Sequence, residues 1–398
     1  MEYLVNYFSI LSQEPEDPIY GLQVAFKKDP RPTKINLSIG VFPEEGNSGA
    51  AFRFPVITAA EEQVLQQQFP KSYLPIDGLP AFCKHTANLL FGNTQDNAIY
   101  KSYTAQTIGG TAALHIGAKL LAKQFTKHIF ISNPTWVNHR PLFEACGMQV
   151  GTYPYEVTPE GHLHIDAITK AIHSMPKGSV IVLQASCHNP TGIDPTQNDW
   201  KRLQEAIADR GLITFFDIAY QGLGRGLEED AWPIRLFLEK GHEMLIATSF
   251  AKNFGLYCDR VGALTIVAQE QCIAPIASQI RKIIRSIYSS PAAHGAHIVT
   301  TIFENPVLLK QWHTELKKLR DQLQIARDLL HAALEKKNCS IKALKTSTGL
   351  FCLTGLEKQK ILQLRADKAI YLGDDSRINI AALQPNHIDI IAEALSTA

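Results

Sequence analysis

Four short apolar runs, each followed by polar residues, constrain the fold of this chain more than any other feature of its sequence. They are HIFISNPTW (128–136), SVIVLQASCHNPTG (179–192), GLITFFDIAYQG (211–222) and HEMLIATSFAK (242–252). Each run is rich in β-branched or aromatic residues, as buried strands are. Longer helical patterns separate the runs, and this alternation is typical of an α/β fold with a parallel sheet.

The polar residues after these runs indicate where a ligand would bind. In open α/β sheets, ligands bind beyond the carboxyl ends of the strands. Loops are polar in any protein, so a single polar end carries little weight, whereas several ends with complementary chemistry carry more. We therefore expect one crevice to be lined by the side chains that follow the strands: Trp136, Asn189, Asp217, Tyr220, Ser249 and Lys252.

Lys252 has unusual neighbours for a lysine, because it lies among small and apolar residues in SFAKNFGLYCDRVGAL (249–264). A lysine that forms a Schiff base needs a lowered pKa, which burial or a nearby cation provides. Phe250 and Phe254 would supply the apolar surroundings, and Arg260 would supply the nearby cation. A structural ion-pair lysine is the alternative interpretation.

A phosphate site is predicted beside this lysine. Gly109, Gly110 and Thr111 precede an apolar helical pattern, and glycines at a helix start let backbone N–H groups approach an anion. Ser249 and Arg260 would add a hydroxyl and a guanidinium. Glycine and threonine are also ordinary helix caps, so the motif indicates a phosphate site only in combination with the neighbouring lysine.

A lysine, a phosphate cup and a carboxylate together are what pyridoxal phosphate requires, the carboxylate pairing with the pyridinium nitrogen. Asp217 is the candidate carboxylate, Tyr220 and Asn189 could bind the ring oxygen, and Trp136 could stack on the ring. A buried cap for Asp217 and a core position for Trp136 are the structural alternatives. The joint pattern predicts a pyridoxal phosphate enzyme.

The same motifs carry a resemblance to a known family. SFAKNFGLY, HNPTG, FDIAYQG, SNPTWVNH, YLPIDG, INLSIGV and SRINIAAL resemble the fold-type I, class I aminotransferases, and among them the aspartate and aspartate/aromatic enzymes. The resemblance runs in order from about Pro18 to the C-terminus. It implies a large domain with a mostly parallel central sheet flanked by helices, plus a smaller α+β domain.

The resemblance also implies a role for each pocket residue. Lys252 would hold the cofactor covalently and then move a proton, and Asp217 would pair with the pyridine nitrogen. Tyr220 and Asn189 would hold the phenolic oxygen, and Trp136 would stack on the ring; Asn189 and Trp136 would also contact substrate. The phosphate would be held by Gly110, Thr111, Ser249 and Arg260.

Substrate binding, by the same resemblance, would involve two chains. Arg377 would clamp the α-carboxylate, Gly40 would bring backbone close to the substrate, and Phe351 would line the pocket. Tyr73 would reach the phosphate of a neighbouring subunit, and Arg285 would meet the side-chain carboxylate of that subunit's substrate. The active sites would therefore form across a homodimer.

The resulting prediction is a ping-pong aminotransferase that moves the amino group of L-aspartate, and of glutamate or aromatic amino acids, to 2-oxoglutarate. A lyase or decarboxylase with the same cofactor is the second hypothesis, and the two carboxylate-binding arginines Arg285 and Arg377 argue against it. A regulator with an aminotransferase-like sensor domain is the third. It would need a DNA-binding module, and only about 17 residues precede the resemblance.

Three positions depart from the family pattern. Ala251 stands where many relatives have serine, Ser38 where they have glycine, and Gln184 where they often have histidine beneath the cofactor. We expect these differences to affect cofactor affinity and substrate range rather than the reaction.

Length and periodicity indicate two domains. Apolar residues recur at steps of three and four in QWHTELKKLRDQLQIARDLLHAALEKK (311–337), which fits a helix covering a small domain better than a short coiled coil. The predicted organisation is an N-terminal arm and first part of the small domain (1–46), a large pyridoxal-phosphate-binding domain (47–310) and a small C-terminal domain (311–398).

Composition narrows the partners and the compartment. The net charge of +1 does not favour nucleic acid or an anionic membrane surface as a partner, and no metal-binding motif is found. The seven cysteines are scattered without a C-x-x-C pair, which favours a reducing compartment, and we expect the cytoplasm. GLGRGL (222–227) is not a dinucleotide fingerprint, because Leu227 replaces its third glycine.

Overall fold

The computed structural model of this chain describes residues 7–15, 18–44, 47–92, 100–158 and 160–397. The strands are β1 (Ile35–Asn36), β2 (Pro43–Glu44), β3 (Asn47–Ala51), β4 (Tyr100–Ile108), β5 (His128–Asn133), β6 (Gln149–Pro154), β7 (Val180–Gln184), β8 (Ile213–Ile218), β9 (Met244–Ser249), β10 (Val261–Gln269), β11 (Phe351–Leu353), β12 (Ile370–Tyr371) and β13 (Arg377–Asn379). The helices are α1 (Pro18–Lys28), α2 (Pro55–Gln66), α3 (Pro80–Phe91), α4 (Gly110–Gln124), α5 (His139–Ala145), α6 (Ile165–Ser174), α7 (Gln197–Arg210), α8 (Leu227–Glu239), α9 (Glu270–Ile287), α10 (His294–Glu304), α11 (Pro306–Glu335), α12 (Ala343–Thr346), α13 (Lys358–Lys368) and α14 (Ile388–Thr397). Short 3-10 helices cover Tyr7–Ile10, Ile380–Ala382 and Pro385–His387.

A seven-stranded sheet forms the centre of the fold, in the order β4-β10-β9-β8-β7-β5-β6. The pairs from β9 to β6 are parallel, and β10 runs antiparallel to both of its neighbours. The four predicted strands are β5, β7, β8 and β9, so the predicted α/β class with a mostly parallel sheet is confirmed. β7 and β9 are buried along their whole length, which explains their continuous apolar sequences.

Helices cover both faces of this sheet. On one face, Leu114 of α4 and Ile280 of α9 belong to a core that includes the buried side chains of β5. On the other face, Ile168 of α6 and Phe237 of α8 pack in a second core. Burial on both faces fixes the strand register, which places the carboxyl ends of neighbouring strands side by side.

The register brings three predicted ligand-binding segments together. Gln184 at the end of β7 pairs with Asp217 of β8, and Asp217 in turn pairs with Ala247 of β9, two residues before Ser249. The polar residues that follow these strands therefore emerge at one edge of the sheet.

The predicted long helix is present as α11, which buries Leu316, Leu319, Leu323 and Leu330 along one face. Asn305 caps its start by accepting hydrogen bonds from the N–H groups of the first turn. The helix runs across position 310, where the predicted large domain ends, and the predicted boundary at Gly46 lies outside the described residues.

α11 also contacts the loop that carries Lys252. The indole N–H of Trp312 donates a hydrogen bond to the carbonyl oxygen of Asn253 at 2.8 Å, and its ring stacks on Phe254 at a centroid distance of 4.5 Å. Trp312 is fully buried, so this contact joins the long helix to the edge of the sheet.

The remaining strands form small sheets. β1 pairs in parallel with β12, and β11 pairs in antiparallel fashion with β13, so the first strand of the chain lies beside its C-terminal part. Within the described ranges, no helix combines the length and apolar character needed to cross a membrane.

Candidate active site

The edge of the sheet where the polar residues emerge contains a pocket that gathers most of the predicted site residues. It is lined by Gly110, Thr111, Leu114, Trp136, Gln184, Asn189, Asp217, Ala219, Tyr220, Ser249, Ala251, Lys252 and Arg260. These residues come from the ends of β5, β7, β8 and β9, from the start of α4, and, for Arg260, from the position just before β10. Among the described residues, no group of three or more His, Cys, Asp or Glu side chains could hold a metal ion.

Lys252 lies in a turn directly after β9, held between the fully buried Phe250 and Phe254. Its Nζ lies 5.2 Å from the centroid of the Tyr220 ring. Burial lowers the pKa of Lys252 to about 8, and Arg260 acts in the same direction while Asp217 opposes it. About a tenth of the amine is therefore neutral at pH 7 and about half at pH 8, so the nucleophilic form is available.

The reactivity of Lys252 is expected to level off as the pH rises through about 8, well below the ordinary lysine value of 10.5. The sign follows from burial, which disfavours the charged ammonium and releases its proton at lower pH. Acetylation rates of cofactor-free protein, followed by peptide mass spectrometry, measure this. Exposed Lys282 in the same sample controls for reagent decay, and a Lys252 rate still rising steeply above pH about 9 would contradict the prediction.

Asp217 faces the pocket from the end of β8 and is buried. Its Oδ2 lies 3.1 Å from Nε2 of His139, a fully buried side chain whose Nδ1 lies 2.7 Å from Oγ1 of Thr135. The Trp136 ring meets the His139 ring edge to face at 5.4 Å. This chain of contacts fixes the orientation of the carboxylate.

His139 was missed by the sequence analysis. It lies in SNPTWVNH, but nothing in its spacing indicated a contact with a carboxylate 78 residues further along the chain. His139 is the first residue of α5, and Asp217 lies near the end of β8. Their contact is visible only in the three-dimensional structure.

The start of α4 forms a cradle for an anion. Gly109 has φ 88°, and a Cβ there would lie 2.7 Å from Nη2 of Arg260; a Cβ on Gly110 would lie 3.0 Å from Cβ of Ser249. The two glycines therefore leave room where side chains would fill the space. Backbone N–H groups at a helix start, the hydroxyls of Thr111 and Ser249 and a guanidinium are suitable donors for a phosphate.

Arg377 supplies a buried cation beside this pocket, with a side chain only 5% exposed. Its Nη1 donates to Oδ1 of Asn189 at 3.0 Å, its Nη2 donates to the carbonyl oxygen of Ser38 at 3.3 Å, and its guanidinium carbon lies 4.2 Å from the Phe351 ring centroid. Nε has no hydrogen-bond partner in the part of the chain that the structure describes. An incompletely paired buried guanidinium suits a carboxylate ligand.

The other predicted pocket residues lie nearby. Burial raises the pKa of Tyr220, so its hydroxyl is a neutral donor, and its ring meets Phe351 edge to face at 6.1 Å. Gly40 follows Ser38 by two residues, and a Cβ built there would meet nothing within 4 Å. This opening beside Arg377 leaves space for a substrate.

Gln184, one of the three departures from the family pattern, forms hydrogen bonds with both backbone polar groups of Asn189. Its Oε1 accepts from the Asn189 N–H at 2.9 Å, and its Nε2 donates to the Asn189 carbonyl oxygen at 3.0 Å. Gln184 therefore fixes the backbone of Asn189, and both residues line the pocket.

Tyr73 and Arg285 are not brought into this pocket. The Tyr73 side chain is 93% exposed, and Arg285 is exposed near the end of α9, where it donates a hydrogen bond to Ser289. Neither is among the residues that line the pocket with Lys252.

A lysine with a lowered pKa, an oriented carboxylate and an anion cradle at the edge of a mostly parallel sheet define a pyridoxal-phosphate-dependent enzyme of fold type I. The residues present fit the cofactor: the donors at the start of α4 would hold its phosphate, and Asp217 and Lys252 line the same pocket.

The chain matches the family "Aminotransferase class I and II" over residues 32–395. It is 39% identical to the aspartate aminotransferase of Escherichia coli K12, covering 98% of this chain and 99% of that one. It superposes with a TM-score of 0.94 on a Burkholderia pseudomallei aromatic-amino-acid aminotransferase covalently bound to pyridoxal phosphate, at 36% identity over 99% of both chains. The aspartate aminotransferase of Saccharomyces cerevisiae cytoplasm gives a TM-score of 0.93 at 34% identity over 98% of both chains. The chain belongs to the class I and II aminotransferase family, as a pyridoxal-phosphate-dependent transaminase of the aspartate/aromatic type.

Proposed function

We propose that this enzyme transfers the amino group of L-aspartate, and also of glutamate or aromatic amino acids, to 2-oxoglutarate by a ping-pong mechanism. The observation that carries the proposal is the pocket in which Lys252 and Asp217 lie together beside the incompletely paired Arg377. The names of the relatives, which include both aspartate and aromatic aminotransferases, support this substrate range.

Each group in the pocket has an assigned task. Pyridoxal phosphate, when bound, supplies an electron sink. The Lys252 amine would take the proton from the substrate Cα and deliver it to C4′ of the bound cofactor, since a group with a pKa of about 8 can both accept and donate a proton near neutral pH. Asp217, oriented by His139, would pair with the pyridine nitrogen of the bound cofactor.

Arg377 is assigned to the α-carboxylate, whose two oxygens match the planar guanidinium fork. Asn189 and Ser38 hold that guanidinium from two sides, so it is oriented before the substrate arrives. Retention of the carboxylate by a fixed cation favours transamination over decarboxylation.

The enzyme is further proposed to act as a homodimer in which Tyr73 and Arg285 reach the neighbouring active site. Their exposure on the isolated chain and their absence from the pocket lining support this. We also retain the division into 1–46, 47–310 and 311–398 as a proposal. A cytoplasmic location is supported by seven free cysteines and by a relative from rice described as cytoplasmic.

Comparing kcat/KM for aspartate, tyrosine and phenylalanine with 2-oxoglutarate as acceptor tests the function. We expect glutamate to accumulate in step with amino-donor loss, and aspartate to be the best donor. Reactions without the 2-oxo acid are the control, because a transaminase then stops after the first half-reaction, with one amino group transferred per active site. Continued release of carbon dioxide or ammonia without an acceptor would instead show a decarboxylase or lyase.

A further inference from the structure

Two separate segments carry the residues proposed to act in the neighbouring subunit. Tyr73 lies at the start of the loop 73–79, and Arg285 lies in the last turn of α9. They are more than 200 residues apart in the chain. Both would have to be placed together to complete one neighbouring site.

An ion pair joins these two segments. Nε of Arg281 lies 2.9 Å from Oδ1 and 2.8 Å from Oδ2 of Asp77, so the donor sits between both carboxylate oxygens. The Tyr103 hydroxyl donates to Oδ1 of Asp77 at 2.9 Å. Arg281 precedes Arg285 by four residues, and residues at this spacing lie on one face of a helix. Asp77 is therefore anchored at the same helical face that carries Arg285, one turn away from it.

A buried glutamine joins the same segments a second time. Gln106 of β4 is only 2% exposed; its Oε1 accepts from the Leu79 N–H at 3.0 Å, and its Nε2 donates to the Ala292 carbonyl oxygen at 2.7 Å. Its backbone N–H also donates to the Asp77 carbonyl oxygen at 2.8 Å. Gly78 has φ 90°, and a Cβ there would lie 2.1 Å from the Gln106 Cβ, so the loop lies flat against this side chain.

We propose that Gln106 and the Asp77–Arg281 pair are positioning residues that hold Tyr73 and Arg285 as one unit, and thereby set the dicarboxylate specificity of the neighbouring active site. The inference rests on the proposed function, in which those two side chains act across the dimer. An exposed ion pair adds little to folding stability, whereas the contact of Arg281 Nε with both oxygens of Asp77 links the loop to α9. A shift of about 1 Å in a substrate-binding group can reduce activity on the order of 100-fold.

Hybrid dimers test this inference. In each hybrid, one chain carries Lys252→Ala and has no active site of its own, so the surviving site belongs to the other chain. Arg281→Ala on the Lys252→Ala chain should lower kcat/KM for aspartate about 10- to 100-fold at the surviving site, with phenylalanine changed far less. Arg281→Ala on the chain that retains Lys252 should change either value less than about twofold, because that site takes its Arg285 from the other chain.

The controls separate positioning from stability and from the proposed function. Lys282→Ala, an exposed neighbour on the same helix, should be without effect in either placement, and Asp77→Asn should reproduce Arg281→Ala. Equal losses in both placements, or no loss in either, would overturn the inference. If Arg285→Ala on the Lys252→Ala chain also has no effect, the proposed action across the dimer itself fails. If Arg285→Ala reduces activity there and Arg281→Ala does not, only the positioning role fails.

Discussion

Replacing Lys252 with alanine is expected to lower kcat on the order of 10⁴-fold, the upper range for loss of a positioned general acid–base group. The substitution removes the proton carrier of the pocket and also the amine that attaches the cofactor. Turnover of aspartate with 2-oxoglutarate measures the first effect. Borohydride reduction followed by mass spectrometry of the peptide containing residue 252 measures the second effect. Only the wild-type protein, which has Lys252, should retain the cofactor covalently.

Lys252→Arg is the matched control for this experiment. It keeps a cation of similar length but cannot supply a neutral amine, because the guanidinium stays protonated at all usable pH values. Both variants should therefore be inactive. An alanine variant with unchanged transamination would refute the role of Lys252.

Arg285→Ala is expected to lower kcat/KM for aspartate and glutamate by roughly 30- to several-thousand-fold. Truncating one partner of a buried charge pair costs about 2–5 kcal/mol, and each 1.4 kcal/mol corresponds to about tenfold. Phenylalanine and tyrosine should lose far less, since their side chains have no carboxylate to leave unpaired. Steady-state kinetics with each donor and 2-oxoglutarate held at saturation give the ratio.

Arg285→Lys is the matched control, because it keeps the charge and loses the planar fork. It should retain part of the dicarboxylate activity that alanine loses. An equal decrease in kcat/KM for aspartate and phenylalanine in Arg285→Ala would show that Arg285 does not bind the side-chain carboxylate.

The parallel strands and the pocket were accessible from the sequence because each buried strand is a continuous apolar run that ends in a chemically specific residue. Asp217 and Lys252 could be assigned to one crevice without knowing the register, since parallel strands expose their carboxyl ends together. β10 was not identified as a strand, although it is also an apolar run, and its antiparallel direction could not be predicted because a buried run is apolar in either direction. The long helix α11 was predicted from its periodicity alone.

Contacts between side chains that are far apart in the chain could not be predicted from the sequence. His139 and Asp217 meet only because α5 starts beside the end of β8, and Gln106 meets Ala292 across β4 and the turn after α9. Such pairs depend on the orientation of individual amides and rings, which no period or motif encodes. Gln184 could be noted as a departure from the family pattern, but its double contact with Asn189 required coordinates.

The hydrogen bond from Trp312 to the carbonyl oxygen of Asn253 couples α11 directly to the turn that carries Lys252. Displacement of α11 relative to the sheet would therefore either break this hydrogen bond or move the turn that bears Lys252. Trp312 is one of four tryptophans, so its fluorescence would report such a displacement in a protein in which the other three are replaced.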